Sequence, residues 1–219
     1  MNIPWDWEFA IDIIPDLLDG LVVTVQATLV GISIAMVLGL VFAMARRSQS
    51  MLVSRPVGFI VEFVRSTPLL IQLYFLYFVL PNFGIRFDAF LTGAIGLGVH
   101  YAAYTSEVYR AGIEGVPRGQ WEASTALNLG RADTWTRVVL PQAIPNVIPA
   151  LGNYVIAMFK DAPLLSAITV VELLQEGNII CSRTYRCLEP YTLVGVMFLA
   201  VSIPASIMVR RLERRLARA

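Results

Sequence analysis

Five polar side chains lie within or beside two otherwise apolar segments, and they are the best candidates for binding chemistry. They are His100, Tyr104, Asn153, Lys160 and Asp161. Together they offer hydrogen-bond donors, acceptors and both signs of charge, which suits a small zwitterion. For His100 a packed, satisfied side chain is as good an interpretation as a lining role. An ion pair or a capped helix end would equally explain Lys160 and Asp161.

Motifs of enzymatic or metal chemistry are absent from the sequence. His100 is the only histidine, so a multi-histidine metal site is excluded. The only lysine, Lys160, follows Phe159, so there is no G-x-x-x-x-G-K-[ST] phosphate loop; G-x-S-x-G, H-E-x-x-H and G-x-G-x-x-G are also missing. The sequence therefore predicts a protein that is not an enzyme and holds no cofactor. If ATP drives its activity, another chain must bind the ATP and its Mg²⁺.

Long uncharged runs must position these residues. The 219 residues are 57% hydrophobic and only 15% charged, with a mean hydropathy of +0.66, too apolar for an ordinary soluble domain. A membrane span needs about 20 apolar residues. We therefore predict an all-α integral membrane bundle, a single domain of five transmembrane helices. The spans are expected at about 19–46, 57–80, 88–109, 142–160 and 190–210.

The charges predict the orientation of these spans. The first 20 residues carry five acidic residues and no Lys or Arg, and they do not look like a signal peptide. Arginines concentrate in 46–55, in 110–137 and in the tail Arg210–Arg218. Since positive residues mark the cytoplasmic side, we expect the N-terminus outside and the C-terminus inside, with 111–141 cytoplasmic and 161–189 periplasmic. The tail is then a lipid-headgroup anchor rather than a nucleic-acid patch.

Two residue pairs and one stripe suggest contacts. Glu62 and Arg65, at i,i+3 spacing, can form a structural ion pair or contribute to a gate. Cys181 and Cys187 lie in the outer segment, where either a disulfide or two free thiols is consistent with the sequence. A stripe of small residues in the first span (Gly31, Ala35, Gly39) lets another helix approach closely.

The fourth span has prolines at 141, 145 and 149, every fourth residue. Each removes a backbone donor, so we expect this helix to be kinked or broken early, near a translocation path. The apolar segment that follows, 164–180, is too short and too charged to span. We expect a re-entrant or interfacial helix there on the outer face.

The segment 111–141 carries the clearest motif. Glu122-Ala123-Ser124, followed by Val138-Val139-Leu140-Pro141, resembles the signature of bacterial ABC importer permeases: EAA, three residues, Gly, nine residues, then I-x-L-P. The 20-residue length from Glu122 to Pro141 matches. Two positions depart, since Ser124 replaces the second Ala, and Asn128 replaces Gly with Gly130 two residues later. Asn is the residue most tolerant of a left-handed backbone after Gly.

The resemblance covers roughly residues 15–215. The segments 62–70 and 103–110 are similar to the polar amino-acid uptake permeases of the histidine and glutamine type, as are 151–153 and 189–192. The segment Phe159–Ser166 and the N-terminal Trp5-Asp6-Trp7 resemble the ectoine/hydroxyectoine branch of that family. The chemistry of the candidate pathway would suit either a polar amino acid or ectoine.

The resemblance implies a fold, partners and a location. Such permeases have five spans, sit in the bacterial inner membrane as multi-pass proteins and pair with an identical or homologous permease. A dimer of ATP-binding cassette ATPases engages the cytoplasmic loop, and a periplasmic binding protein delivers substrate. Here Gly119–Leu129 would be the coupling helix, with Glu122, Ala123 and Leu127 meeting the ATPase. The positions carried over as ATPase-coupling are Gly119, Glu122, Ala123, Ser124, Leu127, Asn128, Gly130, Leu140 and Pro141.

Two other functions are weighed against this one. A self-contained secondary transporter or channel subunit would show ion-gradient dependence, yet the chain has no sign of an internal repeat. A purely structural membrane subunit would not require a patterned cytoplasmic loop. Both are disfavoured by the signature in 122–141.

Overall fold

The computed structural model describes residues 4–216 and is helical throughout, which confirms the all-α prediction. Arg218, part of the predicted basic tail, lies outside the described residues. The helices in residues 4–216 are α1 (Trp7–Asp12), α2 (Ile14–Arg46), α3 (Met51–Ser66), α4 (Leu69–Tyr74), α5 (Ala89–Glu114), α6 (Arg118–Ala126), α7 (Arg131–Asp133), α8 (Leu140–Asp161), α9 (Leu173–Thr184) and α10 (Leu188–Leu216). π-helical turns at Phe75–Val79 and Thr134–Val139 and 3-10 segments at Leu80–Phe83 and Ala162–Ile168 extend α4 and α8.

Helices α2 and α5 run parallel and pack most closely. A Cβ on Gly31 would lie 3.2 Å from Leu97 Cβ, and a Cβ on Gly39, eight residues on, would meet the side chain of Thr105. The buried hydroxyl of Thr105 donates to the carbonyl oxygen of Ala35 at 2.9 Å. The small-residue stripe therefore makes the close helix contact that the sequence predicted.

The remaining long helices alternate in direction around this pair. Gln72 and Leu73 of α4 lie against His100 and Gly96 of α5, in that order, so α4 runs antiparallel to α5. In the same way, α8 is antiparallel to α5, since Val147 packs near Gly112 while Asp161 reaches Tyr101. Helix α10 is antiparallel to α8, since Val209 lies beside Gly152 and Phe198 beside Phe159.

The five predicted spans differ in whether their helices are long and apolar enough to cross a membrane. The stretches Trp7–Arg46 and Leu188–Leu216 are each long and apolar enough to cross a membrane. Two further candidates qualify only as bent pairs, Met51–Ser66 with Leu69–Phe83 (106°) and Arg131–Ile168 with Leu173–Thr184 (47°). Helix α5 has 26 residues, about 39 Å and enough to cross the hydrocarbon, but its glycines, tyrosines and His100 lower its hydropathy. Five spans with the N-terminus outside stays a prediction.

Two expectations about helix continuity change. The segment expected as one span at 57–80 divides at Thr67–Pro68, because the residue before a proline avoids the helical conformation. The fourth span was expected to be kinked or broken early; a break is not found, since α8 continues through Pro145 and Pro149, and a kink stays a prediction. A residue with a backbone N–H at position 145 or 149 would donate to the carbonyl of the proline four residues earlier. The two missing hydrogen bonds therefore lie on one face of the helix, and the hydrogen bonds on its other faces remain. The continuous α-helix instead ends at Asp161.

The outer segment 161–189 folds back over α2. Glu172 is fully buried and caps α9, its carboxylate accepting from the backbone N–H groups of Leu174 (3.0 Å) and Gln175 (2.8 Å). The N–H of Leu173 donates to Thr24 Oγ1 at 3.1 Å, joining the start of α9 to α2. Burial raises the pKa of Glu172 to about 6, despite the two N–H donors that favour its charged form.

Candidate functional site

The predicted coupling helix is α6, a nine-residue helix with one side packed on the bundle and the other exposed. Glu122, Ala123 and Leu127 are exposed, Leu127 to 73%. The exposed Leu127 places an apolar side chain on the same surface as the Glu122 carboxylate. Gly119 is exposed, and a Cβ there would meet nothing within 4 Å. The surface of α6 is therefore free to bind another protein.

The remaining signature residues shape the coupling segment. Ser124 is only 2% exposed and its hydroxyl donates to the carbonyl of Gln120 at 2.7 Å, so it faces the bundle. Asn128 has φ of +52°, the left-handed conformation for which glycine is favoured. Gly130 caps α7 in an extended conformation, and Leu140 and Pro141 begin α8; all three are exposed at this end of the chain.

Two tryptophans join α6 to the bundle. The ring of Trp121 in α6 meets that of Trp135 edge to face, with centroids 5.6 Å apart. Both pack on a small core of Val116, Val139 and Ala143. The Arg47 guanidinium, at the end of α2, lies 5.8 Å from the Trp135 ring centroid, within cation–π range. Through this tryptophan pair α6 is therefore in contact with the segment after α5, the start of α8 and the end of α2.

Three of the five pathway candidates meet in one cluster of rings. His100 lies 5.2 Å from the Tyr104 ring, and Tyr101 donates its hydroxyl to Asp161 Oδ2 at 2.6 Å. Tyr154 packs against both tyrosines, with centroids 5.9 to 6.0 Å away. Rings and a carboxylate side by side can hold a cation, while leaving hydroxyl and imidazole groups for hydrogen bonds.

The other two pathway candidates are placed differently. Asn153 precedes Tyr154 on α8 and is exposed, and Lys160 is exposed at the outer end of the same helix. Within residues 4–216 Lys160 makes no ion pair within 4 Å, so the ion-pair interpretation is not seen there. Neither side chain joins the ring cluster directly.

Gln72 was missed by the sequence analysis. Its side-chain nitrogen donates to the carbonyls of Val64 (2.8 Å) and Thr67 (3.1 Å) and to the Thr67 hydroxyl (2.6 Å). Its Oε1 lies 3.1 Å from His100 Nδ1. Gln72 thus adds a donor at the Val64 carbonyl, which also accepts from Thr67, and it links the break to the ring cluster. A polar residue within an uncharged run was the only available signal.

A charge network lies beside the ring cluster, on the side predicted to be cytoplasmic. Arg65 Nη1 lies 3.7 Å from Glu62 Oε2 and also 3.7 Å from Glu107 Oε1. Glu107 further pairs with Arg46 of α2 and, at 2.7 Å, with Arg110. The Arg65 guanidinium lies 5.5 Å from the Tyr104 ring centroid. The predicted pair of Glu62 and Arg65 is therefore the outer part of a larger network centred on Glu107.

The outer face is held by a second cluster. The sulfur atoms of Cys181 and Cys187 form a disulfide, and Arg186 inside that loop donates to Glu189 Oε1 at 2.6 Å and to the Pro4 carbonyl at 3.0 Å. Glu189 is fully buried and also accepts from the backbone N–H of Asp6 at 3.0 Å. The loop thus holds the N-terminal segment against the start of α10.

Comparison with known proteins gives consistent matches over nearly the whole chain. Residues 35–218 match the family of binding-protein-dependent transport system inner membrane components. The probable amino-acid ABC transporter permease protein y4tG of Sinorhizobium fredii (strain NGR234) is 52% identical over 202 residues, 92% of this chain and 87% of that protein. The glutamine transport system permease protein GlnP of Escherichia coli (strain K12) is 32% identical over 214 residues, 97% of this chain and 98% of that protein.

Solved structures give the same match. A crystal structure of an amino acid ABC transporter with histidines superposes with a TM-score of 0.92 at 33% identity, covering 97% of this chain and 100% of that one. An inward-facing structure of the MetNI methionine ABC transporter superposes with a TM-score of 0.77 at 22% identity, covering 94% and 98%, and shares the fold.

Proposed function

The chain belongs to the binding-protein-dependent transport system inner membrane components, as an amino-acid ABC transporter permease, and from that premise we propose that it forms half of an ATP-driven import pathway for a small zwitterion. A periplasmic binding protein delivers the solute, and an ATPase dimer supplies the energy. The chain itself is not an enzyme. The multi-pass arrangement has five spans, with α6 in the cytoplasm.

The exposed surface of α6 is the observation that carries this proposal. Glu122 and Leu127 offer an acidic and an apolar contact on a helix whose other side is fixed to the bundle through Trp121. A rigid attachment behind an open face is what a coupling element requires, because closure of the ATPases must move the bundle rather than only α6.

The ring cluster supports the class of solute. Tyr104 and Tyr154 present aromatic faces near the Asp161 carboxylate, which suit an ammonium or a delocalised cation. His100 and Asn153 supply hydrogen-bonding groups, and exposed Lys160 is a partner for a carboxylate. A polar amino acid fits this set, and the relatives named for amino acids and glutamine favour it. Ectoine or hydroxyectoine is the second candidate, because it carries the same two charges.

Substitution of Glu122 by lysine tests the proposal. In vesicles containing this chain with its ATPase and binding protein, E122K should reduce uptake at least about tenfold, as the loss of about 1.4 kcal/mol of docking free energy would. Insertion and helix content should be unchanged. The matched control is E213K, the same charge reversal at an exposed position of α10, which should transport normally. Normal uptake by E122K would refute the proposal.

Two further measurements identify the partners and the energy source. A tag on this chain should co-purify a P-loop ATPase in one-to-one ratio, and the presence or absence of a second, different permease separates a heterodimer from a homodimer. Uptake should require ATP and should survive dissipation of ion gradients. Uptake that follows the gradient without ATP would instead indicate a secondary transporter.

A further inference from the structure

Gln72 contacts two features of the structure. One is the break between α3 and α4, and the other is the ring cluster. The break leaves the last carbonyls of α3 without helical partners, inside the segment expected to cross the membrane. Unsatisfied backbone groups are expensive there. Gln72 donates to the carbonyls of Val64 and Thr67 at 2.8 and 3.1 Å.

These contacts fix which way round the amide lies. A carbonyl oxygen only accepts, so the side-chain atom between the carbonyls of Val64 and Thr67 must be the NH₂ group. The Thr67 hydroxyl, which bonds the Phe63 carbonyl at 3.0 Å, accepts from the same nitrogen at 2.6 Å. Oε1 is therefore the atom left to face His100.

The orientation of the amide in turn fixes the proton on His100. Gln72 Oε1 has no hydrogen and lies 3.1 Å from His100 Nδ1, so Nδ1 must donate. In a neutral imidazole the other nitrogen then carries a lone pair. No group of residues 4–216 hydrogen-bonds to His100 Nε2, and the neighbouring rings are those of Tyr101 and Tyr104.

We propose that Gln72 is a positioning residue for solute selection: it holds His100 as the Nδ1–H tautomer and so presents Nε2 to the pathway as a hydrogen-bond acceptor. A group with N–H or O–H donors, such as the ammonium of an amino acid, is the ligand class that an acceptor selects. A ligand end bearing only acceptors, such as a carboxylate, is turned away from His100. This inference rests on the proposed function for the ligand, but not for the tautomer.

The single histidine makes a direct test available. The chain is produced with ¹⁵N-labelled histidine, a purification tag without histidine and its partner subunits, and the two imidazole nitrogens are observed by NMR. Wild type should show a protonated Nδ1 and an unprotonated Nε2. The control T67V removes one acceptor of the Gln72 amide but keeps both carbonyls, so the same tautomer is expected. In Q72L the Nδ1–H acceptor is gone, and the proton should move to Nε2.

Uptake measurements test the ligand-facing step. Q72L should raise the KM for an ammonium-bearing solute about fivefold, the size of one net hydrogen bond, with a smaller change in maximal rate. T67V should leave KM unchanged.

A wild-type spectrum that shows the proton on Nε2 overturns the proposal, and this test does not depend on any variant being folded. An unchanged tautomer in folded Q72L, or an unchanged KM beside a changed tautomer, also overturns it. If wild type shows the expected tautomer but no amino acid is transported, the proposed function fails while the tautomer assignment stands.

Discussion

Replacing Gly39 by alanine should destabilise the bundle more than the same change at other glycines of the long helices. The new Cβ would lie 3.0 Å from the carbonyl oxygen of Ala102 and would collide with the Thr105 hydroxyl. Thr105 is fully buried, and its hydroxyl is bonded to the Ala35 carbonyl. The new methyl group would be enclosed by the backbones of α2 and α5 and by the hydrogen-bonded Thr105 side chain. The two helices must therefore move apart to admit it.

The magnitude follows from three contributions. Overpacking a close-packed site costs about 1–3 kcal/mol, and a hydrogen bond between membrane helices contributes about 0.6 kcal/mol that is lost. Alanine regains about 0.5–1 kcal/mol of helix propensity over glycine. The net cost of G39A is therefore about 1–3 kcal/mol, or roughly 2–12 °C in unfolding temperature for a chain of this size.

Two matched substitutions serve as controls, with unfolding followed by tryptophan fluorescence in detergent. A Cβ on Gly195 of α10 would meet nothing within 4 Å, so G195A should raise the unfolding temperature by a few degrees. G31A should fall between, because the nearest atom, Met158 Sδ at 3.0 Å, ends a flexible side chain. G39A unfolding at or above the temperature of G195A would refute the close packing of α2 on α5.

Two other outcomes are expected. W135A should cut ATP-driven uptake at least about tenfold, the effect of roughly 1.4 kcal/mol, because α6 loses its attachment through Trp121. ATP hydrolysis by the assembled complex should continue, and W135F should retain part of the uptake. Normal uptake by W135A would contradict this prediction. The pKa of Glu172, outside the predicted spans, is raised to about 6 from 4.5, so its protonated form favours the folded state. Its contribution is present below pH 4.5 and is lost as the pH rises through 6, up to about 2 kcal/mol; E172Q should remove that slope from unfolding curves measured between pH 4.5 and 7, and an unchanged slope would contradict the assignment.

The sequence was sufficient to predict two features that depend only on neighbouring residues, a close helix contact and a left-handed turn. The spacing of Gly31, Ala35 and Gly39 was enough to predict a close helix contact, because small residues four apart always share a helical face. The left-handed backbone at Asn128 likewise follows from a position where related sequences have glycine. Neither inference needs to know the partner helix.

Features that depend on tertiary contacts were beyond the sequence. Hydropathy registers the apolar length of 57–80 but not its direction, so the 106° bend was not predicted, although Pro68 after Thr67 was a local signal for the end of a helix. The prolines of α8 did not predict its continuity, because the missing donors at 145 and 149 lie on one face and the helix continues on its other backbone bonds. The role of Gln72 requires knowing that His100, 28 residues away, lies beside the break.

The distribution of these contacts shows where the bundle can and cannot change shape. Helices α2 and α5 approach closely where the Thr105 side chain packs on Gly39 and bonds the Ala35 carbonyl, so sliding would require the helices to separate. The break after α3 is held by hydrogen bonds from the Gln72 amide and the Thr67 hydroxyl, which can be exchanged one at a time. Trp121 and Trp135 connect α6 to the end of α2 and to the start of α8, and we expect a displacement passed to these helices to be absorbed at the break rather than between the close-packed pair. The ring cluster adjoins that break through Gln72 and His100, so we expect a displacement that bends the second segment to move the ring cluster as well.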